Sequence, residues 1–185
     1  MRLFVALSPP PEALAEVSGA VGRVREGWPE LRWTAPELWH VTLAFLGEVP
    51  DDKLPSLSVR LARAAGRYPP MTLAFAGAGA FPSAKRANVL WLGLRGGEAT
   101  LPKLAASLAA GAHRAGAREP ERRRFHPHLT LGRARTGLDL RELVDSLAAF
   151  DGTPWHAGTV HLVRSHLGPH VRYEPVDAWP LAGRG

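Results

Sequence analysis

Cysteine is absent from all 185 residues, which excludes disulfides, thiol nucleophiles and cysteine-ligated zinc. Glutamine and isoleucine are also missing, Asn88 is the lone asparagine, and lysine occurs only at 53, 85 and 103 beside abundant arginine. Scarcity of heat-labile amides fits a thermophile source, and GC-rich coding produces the same bias. Long apolar runs are lacking as well. Met71 to Phe81 is too short to span a bilayer, and the opening MRLFVALSPPPE meets three prolines after a few apolar residues, so it reads as a first strand rather than a secretion signal. A cytoplasmic protein with no membrane association is the expectation. No Gly-x-Ser-x-Gly elbow occurs, which weighs against a serine hydrolase.

What is present is a globular composition, 45% hydrophobic and 22% charged, in a length suited to one domain spanning residues 1–185. The net charge of +6 favours an anionic partner, a nucleic acid or a phosphorylated metabolite. Strands are expected at Leu3–Leu7, His40–Leu46, Met71–Phe81, Asn88–Leu94, around His128–Leu131, and near 158–165 and 171–179, with a short one at Arg32–Thr34. Helices are expected to about Arg25, through Leu54–Ala65, over about 98–114 and over 139–150. The elements intermix without regular βαβ alternation, so the fold class is α+β with mainly antiparallel sheets.

One tetrapeptide pattern occurs twice. WHVTLAFLG carries His40 and Thr42 two apart in an apolar run, and HLTL repeats the arrangement at His128 and Thr130, 88 residues later. Period-2 alternation puts His40, Thr42 and Ala44 on one strand face and Val41, Leu43 and Phe45 on the other, which a helix covers. In the second copy Leu129 and Leu131 oppose His128 and Thr130 in the same way. Two such strands can present matching polar walls across one cleft. There, one neutral imidazole removes a proton from water while the other, protonated, delivers one to a leaving oxygen of a phosphodiester. The threonine hydroxyls can donate to the non-bridging oxygens as charge builds. A metal site on His40, His126 and His128 is the first competitor. Hydrolytic metal sites on phosphates usually include carboxylates, and the nearest acids, Glu37, Glu48 and Glu121, fall in flanking loops. No metal and no other cofactor is expected.

The segments RWTAPELWHVTLAFLGEV and FHPHLTLGRAR closely resemble the paired HxTx motifs of the 2H phosphoesterase superfamily, in particular its RNA 2',3'-cyclic phosphodiesterases, also called 2'-5' RNA ligases. GAFPSAKRANVLWLGL and RSHLGPHVRYEPVDAWPL resemble the same branch, so the likeness covers nearly the whole chain. It implies a bilobal, pseudo-twofold α+β fold with one HxTx strand per lobe at a central groove. It also implies hydrolysis of RNA 2',3'-cyclic phosphate ends to 2'-phosphomonoesters without metal or ATP, and in some members the reverse, 2'-5' joining. By position, His40 becomes the proton donor to the departing 3'-oxygen, His128 the proton acceptor from water, and Thr42 and Thr130 phosphate ligands; the residues alone leave acid and base unassigned. The implied partner is RNA with a 2',3'-cyclic phosphate or a 2'-5' linkage, acted on by a monomer with no obligate protein partner. Rival readings are a phosphodiesterase on another cyclic or 2'-5'-linked nucleotide and a non-catalytic module that binds RNA ends.

Other residues carry weaker signals. Arg133 has the opposite parity to His128 and Thr130, so a regular strand points it away from phosphate and a bulge is needed to bring it back. His126 shares the parity of His128, with Pro127 able to redirect it. Arg122, Arg123, Arg124 and Arg135 suit an electrostatic approach surface for RNA. His113, His156, His161, His166 and His170 read as turn or surface residues. Among aromatics, Phe45 is assigned to the core face and Trp33, Trp39 and Trp91 to packing, whereas Tyr173 is a candidate for stacking on a base.

Overall fold

A computed structural model describes residues 1–184. Nine strands run in chain order as β1 (Arg2–Leu7), β2 (Arg32–Trp33), β3 (Val41–Glu48), β4 (Met71–Pro82), β5 (Ala87–Arg95), β6 (His128–Leu138), β7 (Trp155–Ala157), β8 (Thr159–His166) and β9 (Arg172–Pro180). The helices are α1 (Pro11–Val24), α2 (Leu54–Gly66), α3 (Leu101–Arg114) and α4 (Arg141–Leu147). The expected elements are all found; β6 runs seven residues past the expected His128–Leu131, α4 is shorter than the 139–150 expectation, and the other ends shift by a few residues. Only the three-residue β7 has no counterpart in the sequence reading.

Apolar spacing explains the helices. Ala13, Val17, Ala20 and Val21 form the buried stripe of α1, and Leu57, Leu61, Ala64 and Ala65 that of α2. In α3 the stripe is Leu101, Leu104, Ala105, Leu108 and Ala112. All three begin with proline in the first turn, where its missing N–H costs nothing. At roughly 1.5–3 kcal/mol for each fully buried aliphatic side chain, these stripes hold the helices to the sheet. α2 packs on α3, α3 lies against β3 and α2 against β9, whereas α4 covers β4 and touches α1.

The sheet is antiparallel throughout, in the order β7-β4-β5-β6-β3-β1-β8-β9, with β2 added to β6. It is α+β, strongly curled like half a barrel. Its centre is also its thinnest seam: β3 and β6 share the single register pair Val41 and Leu129, while every other neighbouring pair along that order is zipped over three or more residues. Along that order four strands lie on each side of the seam, with β2 as a ninth on the β3-side edge of β6. Leu3, Val5, Leu7, Val41, Leu43, Leu90, Leu92, Leu129 and Leu131, all buried, point to the helical face. The opposite face carries both His/Thr pairs.

Candidate active site

The seam sets the geometry of the motifs. Because β3 and β6 run antiparallel through Val41 and Leu129, His40 lies across from Thr130 and Thr42 across from His128. The local pseudo-twofold passes through that pair. Two residues along a strand and one strand across separates the histidine Cα atoms by on the order of 8 Å. The four polar side chains are all half-buried on one face.

Both imidazoles are oriented by the same device. His40 Nδ1–H donates to the carbonyl of Leu38 at 2.7 Å, and His128 Nδ1–H donates to the carbonyl of His126 at 2.7 Å. A carbonyl only accepts, so Nδ1 carries the proton in each neutral ring and Nε2 is left to exchange one. His40 Nε2 meets Thr42 Oγ1 at 2.7 Å, accepting from the hydroxyl when neutral and donating to it when protonated. Burial holds the pKa of both histidines below the ordinary histidine value, against the opposing pull of their carbonyl partners. The charge of His128 pushes His40 down further, that of His126 acts on His128, and Arg133 lowers both.

The influence of Arg133 corrects the parity argument. Opposite Trp91 and Leu90 of β5 stand Thr130 and Gly132 of β6, so Leu131 is an extra residue, a β-bulge. Beyond it the alternation inverts. Leu131 and Gly132 are both buried, and Arg133 returns to the face of His128 and Thr130, exposed. The same irregularity follows the first motif: Thr42 pairs with Ala6 and Ala44 with Val5, which leaves Leu43 as the bulge. Ala44 is therefore buried, and Phe45 is 47% exposed rather than in the core. Both expectations for β3 beyond Thr42 were wrong for this one reason. Phe45 and Arg133 each stand five residues after a motif histidine, so the pseudo-symmetry places an aromatic ring on one wall and a cation on the other.

Aromatic rings back each histidine. The ring of His40 lies 4.8 Å from that of the buried Phe4 and 5.3 Å, edge-on, from Tyr173; Phe45 is 6.0 Å from Phe4. Burial raises the Tyr173 pKa, partly offset by Arg133 and Arg2, which ties this residue to the groove. On the other wall Phe81 lies 5.1 Å from His128, and Trp91 lies, tilted, 4.6 Å from His126 and 5.3 Å from Phe81. Trp91 is thus a groove residue, correcting its assignment to packing, and its Nε1 is buried without a hydrogen-bond partner. The signal for it lay in Gly79, whose missing side chain makes room for the indole. Trp33 and Trp39 do pack with the core.

Of the remaining candidates, His126 borders this centre, its ring 6.3 Å from that of His128. It is exposed and contributes its carbonyl and its tilted contact with Trp91. Arg122, Arg123, Arg124 and Arg135 are exposed. His166 pairs with Glu174, His113 with the carbonyl of Ala117, and His156 and His170 are exposed, whereas His161 is partly buried with a pKa lowered by desolvation. Among the described residues no three His, Asp or Glu side chains cluster in a metal-binding arrangement. No helix among them is long and apolar enough to cross a membrane.

Comparison with known proteins converges on one family. Residues 9–169 match the model of the 2'-5' RNA ligase superfamily. An RNA 2',3'-cyclic phosphodiesterase of Escherichia coli K12 is 38% identical over 184 residues, which cover 97% of this chain and 96% of that one. The RNA 2',3'-cyclic phosphodiesterase of Geobacillus stearothermophilus is 31% identical over 97% of this chain, which spans only 57% of that relative's length. The crystal structure of E. coli LigT complexed with 3'-AMP superposes with a TM-score of 0.76 at 30% identity, covering 97% of this chain and 96% of that one.

Proposed function

The chain belongs to the 2'-5' RNA ligase superfamily, and from that premise we propose that it is an RNA 2',3'-cyclic phosphodiesterase whose acid and base are His40 and His128. The observation that carries this reading is the matched pair of imidazoles, each donating Nδ1–H to a carbonyl two residues upstream and each presenting Nε2 on the one face the helices leave open.

The chemistry follows from those atoms. A 2',3'-cyclic phosphate seats between the motifs, with its non-bridging oxygens toward Thr42, Thr130 and Arg133. His128, kept neutral by burial, takes a proton from water through Nε2 as the water oxygen bonds to phosphorus. The P–O3' bond breaks on the opposite side, and His40, protonated on Nε2, gives that proton to the departing 3'-oxygen. The products are a 3'-hydroxyl and a 2'-phosphomonoester, and one proton exchange with solvent resets the pair. The assignment of acid to His40 and base to His128 follows the family pattern. With the 5'-hydroxyl of a second RNA in place of water, His128 takes that hydroxyl's proton as its oxygen bonds to phosphorus, P–O3' breaks, His40 protonates the 3'-oxygen, and the two strands are left joined through a 2'-5' linkage. The single negative charge of the cyclic phosphodiester, held against His40, raises the imidazole pKa in the complex, which charges the acid when it is needed.

All the groups named come from one chain, which supports action as a monomer, and the reading places it in the cytoplasm, where it requires neither metal nor nucleoside triphosphate. The test is to incubate RNA bearing a 2',3'-cyclic phosphate with the protein and identify the product by phosphorus NMR. A 2'-phosphomonoester is expected. Tight binding without turnover would instead make the protein an end-binding module, and a 3'-phosphomonoester would place the leaving group on the wrong oxygen.

A further inference from the structure

β2 is two residues long, yet it is firmly placed. Thr34 N–H donates to the carbonyl of Leu131 at 2.8 Å, Trp33 Nε1 donates to the carbonyl of Trp28 at 3.2 Å, and the Trp33 ring packs against the core. In the β2–β6 register Trp33 pairs with Gly132 and Arg32 with Arg133. Directly opposed residues share a face, so Arg32 projects beside Arg133 on the groove side, opposite to buried Trp33 and Gly132. Both arginines are exposed, and none of the ion pairs among the described residues includes either. Like charges directly opposed across strands destabilise a sheet. An anion between or above them removes that penalty.

Position separates the two roles. β3 and β2 both pair with the same edge of β6, β3 at Leu129 and β2 at Gly132 and Arg133. The groove wall therefore continues from His40 and Thr130 outward to Arg32. Arg133 is near enough for its charge to act on His40, His128 and Tyr173 alike, so it serves the reacting phosphate. Arg32 stands across from it on β2, along the same edge of β6 and four residues beyond the Val41–Leu129 pair.

We propose that Arg32 binds the phosphodiester on the 5' side of the terminal nucleotide, so that the protein prefers the cyclic end of an RNA chain to a free cyclic mononucleotide. This rests on the cyclic phosphodiesterase reading. The guanidinium offers planar, bidentate donors suited to a phosphodiester, and its neighbour Arg133 adds to the local potential.

The experiment compares kcat/KM for adenosine 2',3'-cyclic phosphate and for an adenylyl dinucleotide with the same cyclic end. Wild-type protein is expected to favour the dinucleotide, and Arg32→Ala to lower the dinucleotide-to-mononucleotide ratio about tenfold, through KM rather than kcat, as loss of one charge-assisted contact implies. Arg32→Lys keeps the charge and retains part of the ratio. Loss of one phosphate contact also lowers the slope of log KM against log salt by about one for the dinucleotide. Arg63→Ala, which removes an equal charge from the exposed face of α2, leaves the ratio unchanged. An unchanged ratio in Arg32→Ala, or an equal loss on both substrates, would overturn the inference. A wild-type protein that turns over neither substrate would overturn the cyclic phosphodiesterase reading, and this inference with it.

Discussion

Gly79→Ala tests whether Trp91 is a fixed part of the groove. Gly79 faces Trp91 across β4 and β5, and an added Cβ would sit 2.5 Å from Cη2 and 2.9 Å from Cε2 of the indole, closer still to Cζ2. Ordinary carbon contact is about 3.5 Å, so the ring must retreat by roughly 1 Å. It has little room. His126 packs against it at 4.6 Å, Phe81 lies at 5.3 Å and His128 at 6.4 Å. Overpacking of this kind costs roughly 1–3 kcal/mol of stability, and a shift passed on to His128 by about 1 Å is enough to lower turnover as much as 100-fold. The assay is a double-mutant cycle with Trp91→Leu, reading both the urea midpoint and kcat on a cyclic-ended substrate. Gly79→Ala alone is expected to lose stability and turnover, and adding Trp91→Leu to recover most of the stability, giving a coupling of 1 kcal/mol or more. Additive stability changes, or a Gly79→Ala protein with wild-type kcat and midpoint, would refute the packing of Trp91 against the groove.

Removing Arg133 should move the pH profile. Its charge holds both histidines down, so Arg133→Ala is expected to shift both limbs of the kcat/KM bell to higher pH while weakening substrate binding, and unmoved limbs would mean the guanidinium lies away from the imidazoles. Phe45→Ala is expected to raise KM about fivefold for cyclic nucleotides, corresponding to about 1 kcal/mol of stacking, and to leave ribose 2',3'-cyclic phosphate unaffected; equal effects on the two would make Phe45 merely structural. Stability itself should depend on the same rings. With His40 and His128 held below 6.5, the unfolded chain takes up protons first, so their contribution is complete above pH 6.5 and is lost as pH falls toward their folded values. Urea midpoints compared between pH 7.5 and 5 should therefore fall less in the His40→Asn, His128→Asn double variant than in the wild type; an equal fall would place the dependence elsewhere.

The polar pairs were legible because period-2 alternation is intact up to Thr42 and Thr130, and because Val41 and Leu129 are committed to the core. Alternation stops predicting faces at the next residue. A bulge at Leu43 or Leu131 depends on which residues of β1 and β5 accept the pairing, a long-range register that no local pattern encodes. That one feature put Phe45 and Arg133 on the wrong faces and hid the like-charged pair of Arg32 and Arg133. The aromatic backing was hidden for a related reason. Trp91 reads as core by composition, and only the β4–β5 pairing reveals that Gly79 vacates a place for its ring on the open side of the sheet. The helices, by contrast, announce themselves through proline starts and apolar stripes, which are local signals.

Whether two imidazoles on facing strands supply the acid and the base is settled by turnover of cyclic-ended RNA in excess chelator by wild type, His40→Ala and His128→Ala. The wild type should keep its full rate, and each variant should lose on the order of 100- to 10,000-fold in kcat while still binding the 2'-phosphorylated product. A wild-type activity abolished by the chelator, or near-normal turnover in either variant, would contradict the two-imidazole scheme.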